Sequence, residues 1–504
     1  GDTPACQWLV LKVSLLDGIY FLTGKGAVLY GEGMDLCAAT YPYPEGRGQA
    51  KIGTCAMASL GLSPGDTLRY AYAYQPEGSD SMVVENVVSL HVASSQGALA
   101  RIGSASKMEE YLKEGLRMYS ERPGDFRKYG VGVPEAVDDA PAESAFSRTN
   151  VQEAGVDEAD LIKTDGRYLY AAAPAGSETP RLLDKFAPEP PGPGGDVPEI
   201  RIMELSEDPP SATPVGAGAI SLPDMKTALD GLYLVTERGS GKEDLLIAMG
   251  GRSYDCFYYW AEPWYWREGV TEVIGYNVNT PGEPARLFKL EIEGRMISSR
   301  RIGETLYVVT RFTPNPPDFK PYPVGETELA RNRQVLESAT LGDLLPGCRV
   351  NGKPAGPLVR PSDSFMPPVS EDRLPEPTLI TVAAIPLESP EDLVTQTISG
   401  PTETMYVSTR SLYLATTRYN YIVPMRGGAL ETAVVPAPPE STDLHKFSLT
   451  EEGPVYRASG TVIGNLGWET DKKPFRMSEY EDVLRIATSL GATWDGSSTT
   501  RLAL

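Results

Sequence analysis

One short pattern recurs through the later part of this chain and limits its possible folds more than any other feature. A turn residue is followed by apolar and aromatic residues of β type. It is seen in Arg167 to Ala173 behind Asp165-Gly166, and again in Gly231-Leu-Tyr-Leu-Val-Thr236 and Gly303-Glu-Thr-Leu-Tyr-Val-Val-Thr310. Ser411-Leu-Tyr-Leu-Ala-Thr416 and Val483-Leu-Arg-Ile-Ala-Thr488 repeat it. One strand type returning behind a turn signal marks a repeated all-β unit. Partner strands lie between the copies: Ile200 to Leu205, Leu245 to Met249, Glu272 to Val278, Thr378 to Ile385 and His445 to Leu449. Four-stranded units repeated radially make a propeller. The spacing is irregular because Pro-rich insertions at 174–197, 313–324, 354–377 and 434–439 interrupt it. Such insertions belong in loops at blade ends. One of them carries a helix, Glu326 to Leu336.

The first hundred residues differ. Short alternating strands are expected at Trp8 to Val13, Ile19 to Thr23, Thr67 to Tyr74 and Ser81 to Val92. A hairpin turning near Asp17-Gly18 accounts for the apolar run Trp8 to Leu22, which Lys12 and Asp17 make too polar for a membrane span. Residues 1–100 therefore read as a β-sandwich-like domain. Residues 101–148 read as a helical connector followed by a Pro/Gly-rich linker. Its helix shows Met108, Leu112, Leu116 and Tyr119 at helical spacing, with Ser106 as cap and Glu109 completing a capping box. The propeller then occupies 149–504.

A formal charge of −22 disfavours nucleic acid, which is bound through Lys and Arg, and equally disfavours anionic membrane surfaces. No CxxC pair occurs among Cys6, Cys37, Cys55, Cys256 and Cys348, so zinc-ribbon and redox motifs are absent. One disulfide is expected within the first three and another between Cys256 and Cys348, with isolated buried thiols as the alternative. The chain opens on Gly1 rather than Met, as a mature or engineered start would.

Thr149-Asn-Val-Gln, followed by Gly155-Val-Asp-Glu-Ala-Asp-Leu-Ile-Lys-Thr-Asp-Gly166, resembles the signature of a secreted β-propeller family distantly related to WD40 repeats. Leu344-Leu-Pro346, Met405-Tyr-Val-Ser408 with Leu412-Tyr-Leu-Ala415, and the helix around Met108 to Leu112 add to the resemblance. It covers roughly Ser104 to Leu504 and leaves the first hundred residues unmatched. It implies a secreted or cell-surface location and no established catalytic activity. The family typically continues through further blades, so C-terminal blades are expected to be missing from this chain, supplied by another polypeptide or replaced by a smaller ring.

Two clusters stand out as candidate sites. Asp157, Glu158, Asp160 and Asp165 bring hard oxygen ligands together between Gly155 and Gly166, as a calcium site would. The plainer reading is that they cap turns and hold the first strand in register. Tyr258, Tyr259, Trp260, Trp264, Tyr265 and Trp266 form the densest aromatic run. Such rings pack between blades, dominate protein contacts, or stack on sugars. Only His91 and His445 could serve as a base, and no nucleophile elbow accompanies them.

The expected protein is an extracellular binding or structural scaffold, acting through a protein partner or self-assembly and in some settings a glycan, without a catalytic role. The alternative is a glycan-active hydrolase or lyase with a carboxylate pair in the propeller mouth.

Overall fold

The computed structural model describes residues 99–121, 151–173, 197–236, 238, 241–251, 269–367, 375–418, 440–467, 472–491 and 498–503, together with the backbone of eight strands before residue 92. The chain divides into two compact units, residues 1–98 and 99–504.

The first unit contains β1 (Trp8–Leu9), β2 (Lys12–Leu15), β3 (Ile19–Thr23), β4 (Val28–Leu29), β5 (Gly48–Lys51), β6 (Cys55–Ala56), β7 (Thr67–Tyr74) and β8 (Val83–His91). They form the pairs β1–β6 and β2–β5 and a sheet ordered β4-β3-β7-β8. The hairpin expected around Asp17-Gly18 does not form, because β2 takes its partner from β5 and β3 takes β4 and β7.

The second unit opens with β9 (Ala100–Arg101) and α1 (Ala105–Glu121), followed by five successive sheets. Sheet one holds β10 (Ile162–Thr164), β11 (Tyr168–Ala173), β12 (Glu199–Glu207) and β13 (Pro210–Ser221). Sheet two holds β14 (Leu229–Val235), β15 (Leu245–Gly250), β16 (Val270–Asn277) and β17 (Ala285–Glu293). Sheet three is built on β18 (Arg295–Ile302) and β19 (Thr305–Phe312). Before its chain resumes come α2 (Gly325–Ser338), α3 (Leu341–Leu344), β20 (Cys348–Val350), β21 (Lys353–Pro354) and β22 (Ser364–Met366). β23 (Leu379–Pro386) and β24 (Val394–Ser399) continue sheet three, which β22 and β9 complete, while β20 and β21 extend sheet two. Sheet four holds β25 (Thr404–Val407), β26 (Ser411–Arg418), β27 (Ser441–Thr450) and β28 (Gly453–Ile463). Sheet five holds β29 (Met477–Tyr480), β30 (Val483–Leu490) and β31 (Thr499–Ala503). Pairing is antiparallel except between β22 and β24.

Two-residue periodicity explains the stacking. Leu232, Leu246, Ala248 and Ile274 of sheet two pack with Tyr170, Ile200 and Ile202 of sheet one. Their neighbours Tyr233, Ile247, Met249 and Val273 pack with Leu306, Val308, Ala383 and Ile385 of sheet three. Successive side chains on a strand point to opposite faces, so sheets two, three and four are apolar on both. The same device joins sheet three to four through Val309, Ile380, Met405 and Leu412, and four to five through Tyr413, Met477 and Ile486. A strand buried on both faces reads as an unbroken apolar run. β15 and most of β23 do so.

The recurring Leu-Tyr strands fall on the second strand of sheets one, three, four and five, but on the first strand of sheet two. The equivalence expected from sequence is therefore out of step at Gly231.

α1 is no free connector. Met108, Leu112 and Leu116 are fully buried in the cluster between sheets two and three. Gly115 permits the approach, since a Cβ there would stand 2.8 Å from the Pro375 carbonyl oxygen. The Tyr111 hydroxyl accepts the Glu376 N–H at 3.1 Å. α2, the helix expected at Glu326 to Leu336, and α3 cover the same helix: Glu109 accepts the Leu341 N–H and Glu121 pairs with Arg333. Ser104, not Ser106, accepts the first-turn N–H from Lys107, because the helix already begins at Ala105.

Leu112→Ala should lower the unfolding free energy of the second unit by about 3 kcal/mol, the usual scale for emptying a packed leucine site. Denaturant titration measures it; a loss under about 1 kcal/mol would mean that α1 is peripheral to the core.

Candidate functional site

The segment leading into β10 crosses the first strands of the other four sheets in reverse order. The Gln152 side-chain amide donates to the carbonyls of Pro474 and Met477, at 2.7 and 3.0 Å, at the start of sheet five. Glu153 accepts the Tyr406 hydroxyl of sheet four at 2.6 Å. Asp157 and Arg301 of sheet three exchange two backbone hydrogen bonds, at 2.8 and 2.9 Å. Asp160 does the same with Leu232 of sheet two, at 3.1 and 2.7 Å. Ile162 then begins sheet one. Residues 152–160 thus form a strap laid over the open edges of the innermost strands.

Local sequence makes the strap possible. Gly155 adopts φ +86°, a left-handed conformation that favours glycine, and its missing side chain faces Thr409 of sheet four. Val156 is buried between sheets three and four. Ala159 rests on Gly231, where a Cβ would come within 2.9 Å of the alanine methyl. At the far end, the Asp165 carboxylate accepts the Arg167 and Tyr168 N–H groups, closing the β10–β11 turn.

The four carboxylates read as calcium ligands do not converge. Asp157 accepts Lys163 at 2.9 Å on one oxygen and the Arg301 guanidinium at 2.9 and 3.1 Å on the other. Glu158 faces Arg300 at 3.4 Å and accepts the Gln152 N–H. Asp160 contributes its backbone and Asp165 its turn. Among the described residues no group of three or more His, Cys, Asp or Glu is placed to hold a metal ion. The strap carboxylates meet the chain's own cations. Lys163, with its side chain 7% exposed, also donates to the Glu158 carbonyl and lies over the Tyr233 ring. Burial holds the Tyr233 phenol far above its ordinary pKa, so it stays protonated against Ser299.

A second polar hub lies between sheets four and five. The Glu479 carboxylate accepts Ser408, Ser411 and Tyr413 and pairs with Lys446, while its N–H donates to Tyr406. Burial alone would raise its pKa, but those donors and the Lys446 charge outweigh it and hold the carboxyl below its ordinary value. Such a group stays an ionised acceptor and does not serve as a proton donor near neutrality. Nothing local to Glu153, Tyr406 or Glu479 announces this meeting; only the spatial adjacency of sheets four and five creates it.

The aromatic run from Tyr258 to Trp266 lies outside the described residues, as do Cys6, Cys37 and Cys256, and of Cys55 only the backbone is described. The expected bridge to Cys348 is not made. That residue is a free, buried thiol on β20, packed with Leu290 and Leu344, and burial pushes its pKa up to about 11. It serves as a small apolar side chain. Asp443 meets Arg418 and Thr461, while His445 Nδ1 meets Ser459 at 2.6 Å.

Asp157→Asn leaves the buried Lys163 and the partly buried Arg301 beside a neutral amide and should cost about 2 kcal/mol, the scale of a charge-assisted hydrogen bond. Urea unfolding reads this directly, and an unchanged midpoint would reduce the strap pairing to surface decoration. For Glu479, the folded carboxyl lies below the ordinary value of 4.5, so its stabilisation is full above that pH and is lost as pH falls through the folded value. Glu479→Gln should accordingly flatten the acid limb of the stability–pH profile while leaving the alkaline limb unchanged. An acid limb identical to wild type would assign that dependence to other groups.

No curated protein matches the sequence. The profile of a family described as the β-propeller domain matches residues 146–503, well over half of the chain, beginning at the strap and ending in sheet five. With successive antiparallel sheets packed face to face, this chain belongs to the β-propeller domain family.

Proposed function

We propose that this protein is a secreted or cell-surface propeller that serves as a binding or structural scaffold within an envelope layer or other extracellular assembly. The observation that carries this reading is the strap. The inner strands, where a propeller most readily builds a reactive centre, are crossed by the chain itself, and the strap's carboxylates Asp157 and Glu158 face Lys163, Arg300 and Arg301. The strongly acidic balance of −22 suits a soluble extracellular surface and disfavours nucleic acid. Among the described residues no helix is long and apolar enough to cross a membrane. The aromatic segment around Trp260 and Trp264 is the proposed contact for a protein partner, a second copy or a glycan.

The enzyme alternative needs one carboxylic acid to be protonated near neutrality. Glu153 and Glu479 both flank Tyr406, but Glu479 is held ionised, which favours the scaffold. Labelling intact native cells with an impermeant amine reagent tests the location. The expected result is labelled protein in the envelope or medium fraction. An exclusively cytosolic, unlabelled pool would overturn the surface reading, and glycan turnover abolished by Glu153→Gln would replace the scaffold by the enzyme.

A further inference from the structure

We propose that the inner strands form a binding site for an acidic, extended peptide, and that residues 152–160 are its occupant in cis. This goes beyond the scaffold reading and does not depend on where the protein resides.

The strap makes the contacts by which a peptide ligand is held. Main-chain hydrogen bonds to strand edges give affinity, and side-chain partners at fixed intervals give selectivity. Here Asp157 and Asp160 each make a reciprocal backbone pair, with Arg301 and Leu232. These are isolated bridges, not strands of a continuous ladder. The side chains between them are read one by one. Two carbonyls, of Pro474 and Met477, accept the amide of Gln152. A phenol, Tyr406, reads Glu153. Guanidinium groups read the adjacent acids, Arg301 in a two-toothed contact with Asp157 and Arg300 opposite Glu158. Lys163 completes the cationic side. Val156 enters an apolar seat between sheets three and four.

None of these receptor groups belongs to the strap, and they come from five different sheets. Each sheet keeps its own strand pairing without the strap. The stacking clusters are built from sheet residues together with α1 and the insertions, with Val156 as the strap's one fully buried apolar contribution. The strap is therefore an occupant laid on a scaffold whose core is assembled independently. A second acidic segment of the same chemistry, from another chain, would find the same donors once the resident one lifts.

The experiment uses the whole chain and a fluorescein-labelled peptide of residues 151–161, read by fluorescence anisotropy. Wild type should bind it weakly, because its own strap competes at high effective concentration. The double variant Glu153→Gln with Asp157→Asn, whose receptor strands are unchanged, should bind the peptide at least about tenfold more tightly than wild type, as expected when competition is relieved. Adding Arg301→Ala to that variant should abolish the gain. A folded double variant with no gain overturns the proposal, as does a gain that survives Arg301→Ala. Should the double variant fail to fold, hydrogen exchange on the wild-type chain decides. The Asp157 and Asp160 amides should exchange through an opening that leaves the β14–β15 and β18–β19 amides protected. Exchange of the strap only together with those strands would make it part of the fold and not a ligand.

Discussion

The second unit depends on one constraint: its middle sheets, two to four, are apolar on both faces. A sheet with one wet face can end a stack, whereas a sheet with two dry faces must have a neighbour on either side. In sheet two the alternation Leu232, Tyr233 and Leu246, Ile247 sends one residue to sheet one and the next to sheet three. Strand twist prevents flat stacking, so successive sheets fan about a common axis. The burial of α1 follows from the same demand, because the wedge between sheets two and three leaves apolar surface that Met108, Leu112 and Leu116 fill.

Fanning creates a second problem at the axis. The first strand of each sheet has only one strand partner and turns an edge of unpaired amides and carbonyls inward. The strap answers it with few residues, lending backbone groups to Arg301 and Leu232 and the one side-chain amide of Gln152 to both Pro474 and Met477. Charge is handled by the same economy of contacts. Asp157 and Glu158 approach the axis together with Lys163, Arg300 and Arg301, so the carboxylates are neutralised by the cations they orient.

Polar groups elsewhere in the stack obey the same rule. Glu272 is fully buried on β16, yet accepts the Lys226 and Thr227 N–H groups and pairs with Lys289 at 2.8 Å. Glu479 at the sheet four–five seam is served by three hydroxyls and an ammonium. Glu272 thus ties the entry of sheet two to its later strands, and Glu479 acts as a fixed acceptor that aligns sheets four and five.

Sequence alone determined the elements whose causes are local. The Leu-Tyr strands are legible because period-two alternation and a preceding turn are contained in a few residues. The Asp165-Gly166 turn and α1 are legible for the same reason. Tertiary structure decided what each element faces. A run of acids between glycines carries the same signal whether its partners are calcium or arginines, and Arg300, Arg301 and Lys163 become those partners only when sheets one and three are brought to the axis. Gly231 reads as an ordinary turn residue until Ala159 is laid upon it. Cys348 reads as a disulfide candidate until burial with Leu290 and Leu344 makes it a packing side chain. The meeting of Glu153, Tyr406 and Glu479 depends on segments far apart in the chain, and no local pattern encodes a distance that only the packing of sheet four on sheet five sets.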